Sequence, residues 1–355
     1  MKRILVLGAG GPAANNFIRS LRIAKEKFYI VGADINVYHL ELSDADKTYT
    51  IPHVTSPDRL RYLNWIVKKE KIELVHPQPD PEVRYISDNR EKINTKIFLP
   101  NKLDIQICQD KFKTYEILKK HRIPVGESYI IKNEKNLENT LKILLNDNKI
   151  VWLRAIRGAG SRAAIPITHI RYAKCWIDYW SEMKGIGYGD FIITEFLPGR
   201  EFAFQGLWQD GRLIVSQARE RLLYLFSNLT VSGQTSTPAV ARTVHRNDIN
   251  KIATSAINAI DSKASGIFGL DFKEDKNGIP CITEINSGRF FTTSNFLSEA
   301  GLNMPHLYIK LAFGEKLLHI KQYNYLPKNF YWIRHVDMGY KLIKKDKWKN
   351  KRLKI

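Results

Sequence analysis

A short apolar run, Ile4–Leu7, breaks on the turn Gly8-Ala9-Gly10-Gly11-Pro12-Ala13. Ala14, Phe17, Leu21, Ala24 and Phe28 then recur at helical spacing. Tyr29–Ala33 reads as a second strand, closed by Asp34. A further helix is predicted from Ser56, read as its N-cap, with Pro57 at the first helical position and Leu60, Leu63, Ile66 and Val67 on its apolar face. Ile72–Val75 and Ile97–Leu99 add two more short strands. Alternation of this kind constrains residues 1–105 to a parallel sheet covered by helices on both faces.

The rest of the chain does not continue that pattern. Residues 106–189 hold a helix from Asp110 to about His121, strands at Ser128–Ile131 and Ile150–Leu153, and a glycine-containing loop. Residues 190–325 are richer in strands. Phe202–Trp208 and Arg212–Gln217 flank Gln209-Asp210-Gly211, where Asp-Gly favours a tight hairpin turn. Phe268–Phe272 and Cys281–Ile285 form another pair across a polar turn at Asp275–Gly278. Residues 326–355 form a C-terminal segment ending in a basic tail. The predicted class is therefore α/β at the front and α+β behind it.

Composition narrows the function classes. A chain of 355 residues with 44% hydrophobic and 26% charged residues can bury a substantial core. No apolar stretch reaches the length needed to cross a bilayer, and the leading apolar run is too short for a signal-peptide core, so a cytoplasmic location is expected. Cys108, Cys175 and Cys281 are widely spaced without a CxxC, which points to neither a zinc site nor a disulfide framework. The nine histidines show no HExxH spacing, and Trp65, Trp152, Trp176 and Trp180 are assigned to the core. The formal charge is +20, and Lys341–Ile355 carries seven lysines, one arginine and one aspartate. Such a tail can attract nucleic acid or an anionic surface, but a solvated helix or frayed terminus is the plainer reading.

Three constellations carry chemistry. Glu284 and Asn286 stand two apart on a predicted strand and so face the same way, and Asp271 lies on the preceding strand. The three side chains can converge as a hard oxygen set suited to magnesium, which usually takes one or two carboxylates plus substrate phosphates. The apolar flanks Phe268, Leu270, Phe272, Ile282 and Ile285 mark buried strands, where unpaired carboxylates are costly. Second, Arg154 precedes the loop Arg157-Gly158-Ala159-Gly160-Ser161-Arg162; a cation at a strand end and a loop of small residues suit phosphate oxygens. Third, in Thr194-Glu195-Phe196-Leu197-Pro198-Gly199-Arg200-Glu201, two carboxylates flank a linker that could read an adenine and a ribose. Arg219 and Arg221 could face the same cleft, either on a substrate carboxylate or as an edge-strand charge pair. Asp80, after a leading-domain strand, is a candidate substrate contact.

In this order the motifs resemble the ATP-grasp superfamily, in its carbamoyl-phosphate-synthase-like and carboxylate–amine ligase branch. The segments are Asp110-Lys111-Phe112 through Arg122-Ile123-Pro124, then VWLRAIRGAGSRAA, ITEFLPGREF and GLDF…CITEINSGRF. The resemblance reaches to about residue 320. It implies a Rossmann-like leading domain followed by a two-lobed ATP-grasp domain, the small lobe over 106–189 and the large lobe over 190–325. It implies ATP and Mg2+ (or Mn2+) as cofactors. Lys111, Arg154, Gly158, Gly160 and Ser161 would contact phosphates, Glu195 and Leu197 the adenine, and Glu201 the ribose. Asp271, Glu284 and Asn286 would hold the metal. Arg289 and Arg154 would be catalytic. The implied activity joins a small carboxylate to an amine-type co-substrate through an acyl phosphate with release of ADP, and a homo-oligomer is compatible with it. Arg154 stands where lysine is common, Asp271 where glutamate or glutamine is common, and Arg289 lies three residues after Asn286 where two is common.

Two other readings remain open in the sequence. The GxGxxG-like turn with Asp34 at the end of the next strand fits a nicotinamide-dependent oxidoreductase, although that leaves Asp271, Glu284 and Asn286 unexplained. A non-catalytic nucleotide or nucleic-acid binder could use the basic tail.

Overall fold

The computed structural model describes every residue except 148, 159–162, 234, 236, 337, 338, 345 and 347–355. The leading region runs β1 (Lys2–Leu7), α1 (Pro12–Arg22), β2 (Phe28–Asp34), α2 (Val37–Leu40), β3 (Lys47–Thr50), α3 (Arg59–Lys69), β4 (Leu74–Pro77), α4 (Asp80–Asp88), β5 (Lys96–Ile97) and α5 (Lys102–Cys108). Its five strands are all parallel, in the order β3-β2-β1-β4-β5. The central strand shows why. Ile4 and Val6 pack with Phe17, Ile18 and Leu21, whereas Leu5 and Leu7 pack with Leu63, Ile66 and Val67, so both faces are covered.

Two local expectations are corrected. The α3 helix starts at Arg59, not Pro57, because the Ser56 carbonyl accepts from the Arg59 amide at 3.1 Å and makes a separate turn first. Trp65 is 49% exposed, edge-on to Tyr49 with the Lys69 ammonium 4.3 Å above its ring, and is not a core residue.

The second region runs α6 (Lys111–Lys120), β6 (Ser128–Ile131), α7 (Glu134–Asp147), β7 (Val151–Ala155), β8 (Ile165–Ile167), α8 (Ile170–Lys184) and β9 (Phe191–Glu195). Its strands form an antiparallel sheet, β6-β9-β7-β8. Asp110 caps α6 by accepting from the Lys113 amide at 3.1 Å, which sets Lys111 in the first turn.

The third region comprises β10 (Glu201–Gln209), β11 (Arg212–Tyr224), β12 (Pro238–Val244), α9 (Asn247–Ile260), β13 (Gly266–Glu274), β14 (Pro280–Ser287), α10 (Ser294–Glu299), α11 (Met304–Ala312), β15 (Phe330–His335) and β16 (Gly339–Lys344). Seven antiparallel strands line up as β14-β13-β10-β11-β12-β15-β16. The expected hairpin joins β10 to β11 with Asp210 at φ 50° and Gly211 at φ 79°, the pair of positive values that a two-residue turn requires. The C-terminal segment adds its own strands to this sheet. Residues 341–344 lie in the edge strand β16 and not in a helix, while 345 and 347–355 of the basic tail lie outside the described residues.

One face of the large sheet, with Phe202, Phe204, Phe268 and Leu270, packs on Ile249, Ala253 and Ile257 of α9. The opposite face contributes Leu207, Val215 and Ile267 to a cluster that also contains Phe290, Phe296, Tyr308 and, from the leading region, Phe17 and Ile18. The leading region is thus fastened to the large sheet by one continuous core. His76 sits within it, fully buried, stacked on Phe17 at 4.1 Å and hydrogen-bonded to Gln78 at 3.0 Å. Burial pushes its pKa down to about 4.

His76 therefore stays neutral in the fold while its unfolded counterpart takes up a proton below about 6.5. Between those values the unfolded state binds more protons, so stability falls as pH drops from 6.5 to 4, by up to about 3 kcal/mol. Urea unfolding of His76→Phe across this range should show that part of the slope removed. An unchanged slope would sink the assignment.

Candidate active site

The β13–β14 pair sets the centre of the site. Asp271 lies directly opposite Glu284, but Phe272 opposes Ile282, so Thr283 is an extra residue in β14. Its hydroxyl donates to the Asp271 carbonyl at 3.2 Å and holds this bulge in place. Asn286 lies opposite Gly269. A Cβ on Gly269 would sit 2.6 Å from the Phe291 ring, so the missing side chain makes room for that aromatic. The three oxygen-bearing side chains expected to converge do so. Asn286 Nδ2 donates to Asp271 Oδ2 at 3.3 Å, and Glu284 stands across from the same aspartate.

Beyond the strand, Gly288 adopts φ 77° and turns the chain, packed against Val83 and Leu99. That extra residue brings Arg289 back over Asn286, whose Oδ1 accepts from it. This accounts for a spacing of three where two is common. Arg289 also pairs with Asp80, at 3.2 Å from Nη2 to Oδ2. Asp80, read from the sequence as a substrate contact, is in the structure the partner of Arg289. Gln78 accepts from the Phe290 amide at 3.3 Å. The start of α4 in the leading region thereby grips the turn that carries Arg289.

Cations surround the two carboxylates. Arg221 donates to Asp271 Oδ1 at 2.6 Å. Lys111 Nζ lies 3.8 Å from Glu284 Oε1 and donates to the Gly158 carbonyl at 2.8 Å. Arg154 makes no hydrogen bond to any described residue, and its Nε is enclosed without an acceptor. Burial opposes ionisation of Glu284, but Lys111, Arg289, Arg154 and Arg221 together outweigh it and hold the carboxyl below its ordinary value. Burial raises Asp271 above the usual range, against the pull of Arg221. Burial lowers both Lys111 and Arg154, with Glu284 countering in each case.

This donor set suits a hard divalent cation. Glu284 accepts no hydrogen bond from any described residue and stays ionised, so its lone pairs are available. Among the described residues no group of three His, Cys, Asp or Glu side chains that could hold a metal ion occurs.

The remaining residues singled out in the sequence fall as follows. A cleft between the two lobes is lined by Lys111, Arg154, Thr194, Leu197 and Ile282. Glu195 ends β9 at its rim. Glu201 accepts from Lys273 at 2.7 Å and from the Tyr224 hydroxyl, so its carboxylate is already braced. Gly158 is exposed with φ 104°, and Gly160 and Ser161 lie outside the described residues. Lys273, Tyr224 and Gln78 were missed in the sequence. Lys273 alone carried a signal, since it alternates with Asp271 along one face of β13.

The leading glycine turn is occupied by protein. Gly10 donates its amide to Asp34 at 3.0 Å, and the Asn36 amide donates to the other oxygen at 2.9 Å. A Cβ on Gly10 would lie 2.5 Å from His39, so α2 covers the place where a dinucleotide pyrophosphate would approach. Among the described residues no helix is long and apolar enough to cross a membrane.

Comparison with known proteins agrees with this geometry. Residues 188–332 match the family described as ATP-grasp in the biosynthetic pathway with Ter operon, and residues 4–98 match the PylC-like N-terminal domain. Phosphoribosylamine–glycine ligase of Escherichia coli is 24% identical over 234 residues, covering 62% of this chain and 53% of that protein. The chain thus spans about half the length of the curated relatives it matches. A biotin carboxylase of Campylobacter jejuni, solved as its beta-gamma-ATP complex, superposes with a TM-score of 0.72 at 16% identity, over 93% of this chain and 74% of that one. An L-amino acid ligase from Bacillus licheniformis superposes with a TM-score of 0.66 at 13% identity, over 94% and 79%. With its parallel leading sheet, its two antiparallel lobes and its paired-strand carboxylates, the chain has the fold of these proteins, and its residues 188–332 are similar to an ATP-grasp family.

Proposed function

We propose that this chain is an ADP-forming ligase that activates a small carboxylate with ATP and joins it to an amine. The observation that carries the reading is the convergence of Asp271, Glu284 and Asn286 on neighbouring strands, opposite Lys111 and Arg154 across the inter-lobe cleft. Asp271, Glu284 and Asn286 would hold a magnesium ion, which when bound supplies charge neutralisation to the phosphate oxygens; manganese suits the same oxygen set. Leu197 and Glu195 line the place for an adenine, Glu201 that for a ribose, and Lys111, Arg154 and the loop containing Gly158, Gly160 and Ser161 that for the triphosphate.

The chemistry then follows from position and charge. A carboxylate oxygen of the substrate attacks the γ-phosphorus, forming a new O–P bond as the bridging O–P bond to ADP breaks. Arg154, Lys111 and Arg289 spread the charge that develops on the transferred group. The amine lone pair then attacks the acyl carbon, inorganic phosphate leaves and the amine loses a proton. Asp80 holds Arg289 on this reaction path.

Glu284→Ala should abolish ADP release in the presence of magnesium and acceptor acids, with circular dichroism and melting unchanged. Full activity in that variant refutes the metal assignment. Asp80→Asn should lower kcat by about 10–100-fold, because Arg289 loses its anchor, while the affinity for ATP measured by titration stays put. An equal loss in ATP affinity would mean that Asp80 supports the nucleotide site instead.

A further inference from the structure

Arg219 has no counterpart in the ATP chemistry. It is 2% exposed on β11, in register with Ala203 of β10 and Thr243 of β12, and shares a sheet face with Arg221. Arg221 has Asp271. The Arg219 side chain has no hydrogen bond and no ion pair with any described residue, and its Nε is enclosed without an acceptor. The guanidinium stacks over the Phe291 ring, 4.8 Å from its centroid. Burial and then Arg221 push its pKa down to about 9, with Arg334 acting in the same sense.

Arg334 lies on β15, the strand beyond β12. It donates to the Pro238 carbonyl at 2.9 Å and reaches Thr292 Oγ1 at 3.5 Å, with no carboxylate partner among the described residues. A buried guanidinium without an anion is costly, and a second, half-buried one adds to that cost. The triphosphate does not relieve this. Of its cations, Lys111 and Arg154 belong to the other lobe and Arg289 to the turn after β14, whereas β11 lies two strands from β13, about 10 Å from the Asp271 backbone.

We infer that the acid activated here carries a second anionic group, a carboxylate or a phosphate, seated on Arg219 with Arg334 beside it and the Phe291 ring beneath. The inference rests on the ligase reading and names its substrate class. An arginine fork binds either anion bidentately, and the stacked ring fixes the plane of the fork. The activated carboxylate lies near Asp271 and Arg289, and the second anion lies on the order of 10 Å along the sheet.

The test uses the full chain with magnesium and ATP, and hydroxylamine as the amine. ADP release and hydroxamate formation are measured for straight-chain monocarboxylates, dicarboxylates and ω-phosphonocarboxylates of matched length. One of the two dianion classes should exceed its monoanionic analogue by about 100-fold or more in kcat/KM, and which class does so identifies the anion. Arg219→Met should erase that preference through KM, leave ATP affinity unchanged and keep or raise the melting temperature, because an unpaired buried cation is removed. Arg219→Lys should restore part of the preference. Equal turnover of mono- and dianionic acids, or a preference that survives Arg219→Met, overturns the inference while the ligase reading stands. Turnover of none of the acids overturns both.

Discussion

The chemistry of this protein hangs on one strand register. Asp271 faces Glu284 only because Thr283 is bulged out of β14; a ladder without that bulge would turn Glu284 toward the α9 side of the sheet. The hydroxyl of Thr283 on the Asp271 carbonyl fixes the slip locally, and Gly269 fixes it from the side by admitting Phe291. The same ring then serves as a platform for Arg219 and Arg221. The Asp271–Glu284–Asn286 cluster and the arginines stacked on Phe291 are therefore consequences of the same two strands and the turn that follows them.

The electrostatic balance of the site is lopsided. Lys111, Arg154, Arg221 and Arg289 surround two central carboxylates, with Asp80 at the edge. Burial lowers the pKa of Lys111, Arg154 and Arg219, which means that each pays a desolvation penalty without a full counter-charge. A site in this state favours anionic ligands over neutral ones. The leading region supplies the rigidity that such a site needs. Gln78 and Asp80 lock the turn holding Arg289 and Phe290, and Phe290 is buried in the core shared with Phe17 and Tyr308.

Much of this was legible in the sequence where a local rule applies. The two-residue period placed Glu284 and Asn286 on one face, and the positive φ demanded by a tight hairpin marked Asp210-Gly211. Local rules failed where tertiary partners decide. Trp65 looks like a core residue by type, but Tyr49 and Lys69 keep it at the surface. The spacing of Arg289 looked anomalous until the left-handed Gly288 explained it. The strand β16 was hidden among lysines, because an edge strand needs few apolar residues.

The isolation of Arg219 was beyond sequence reasoning for a related reason. On the page, Arg219, Arg221 and Glu220 look like alternating charges on an edge strand, able to pair with any neighbour. In the fold, Glu220 points the other way and takes Arg242 at 2.6 Å, while Asp271 is claimed by Arg221. The carboxylates within reach are used up, and the strand is not an edge but lies between β10 and β12. Whether a charged residue is paired depends on which competitors reach its partner first, and only the assembled sheet determines that. An arginine left over in such a count is a cost to the fold, and a ligand anion is the means by which that cost is offset.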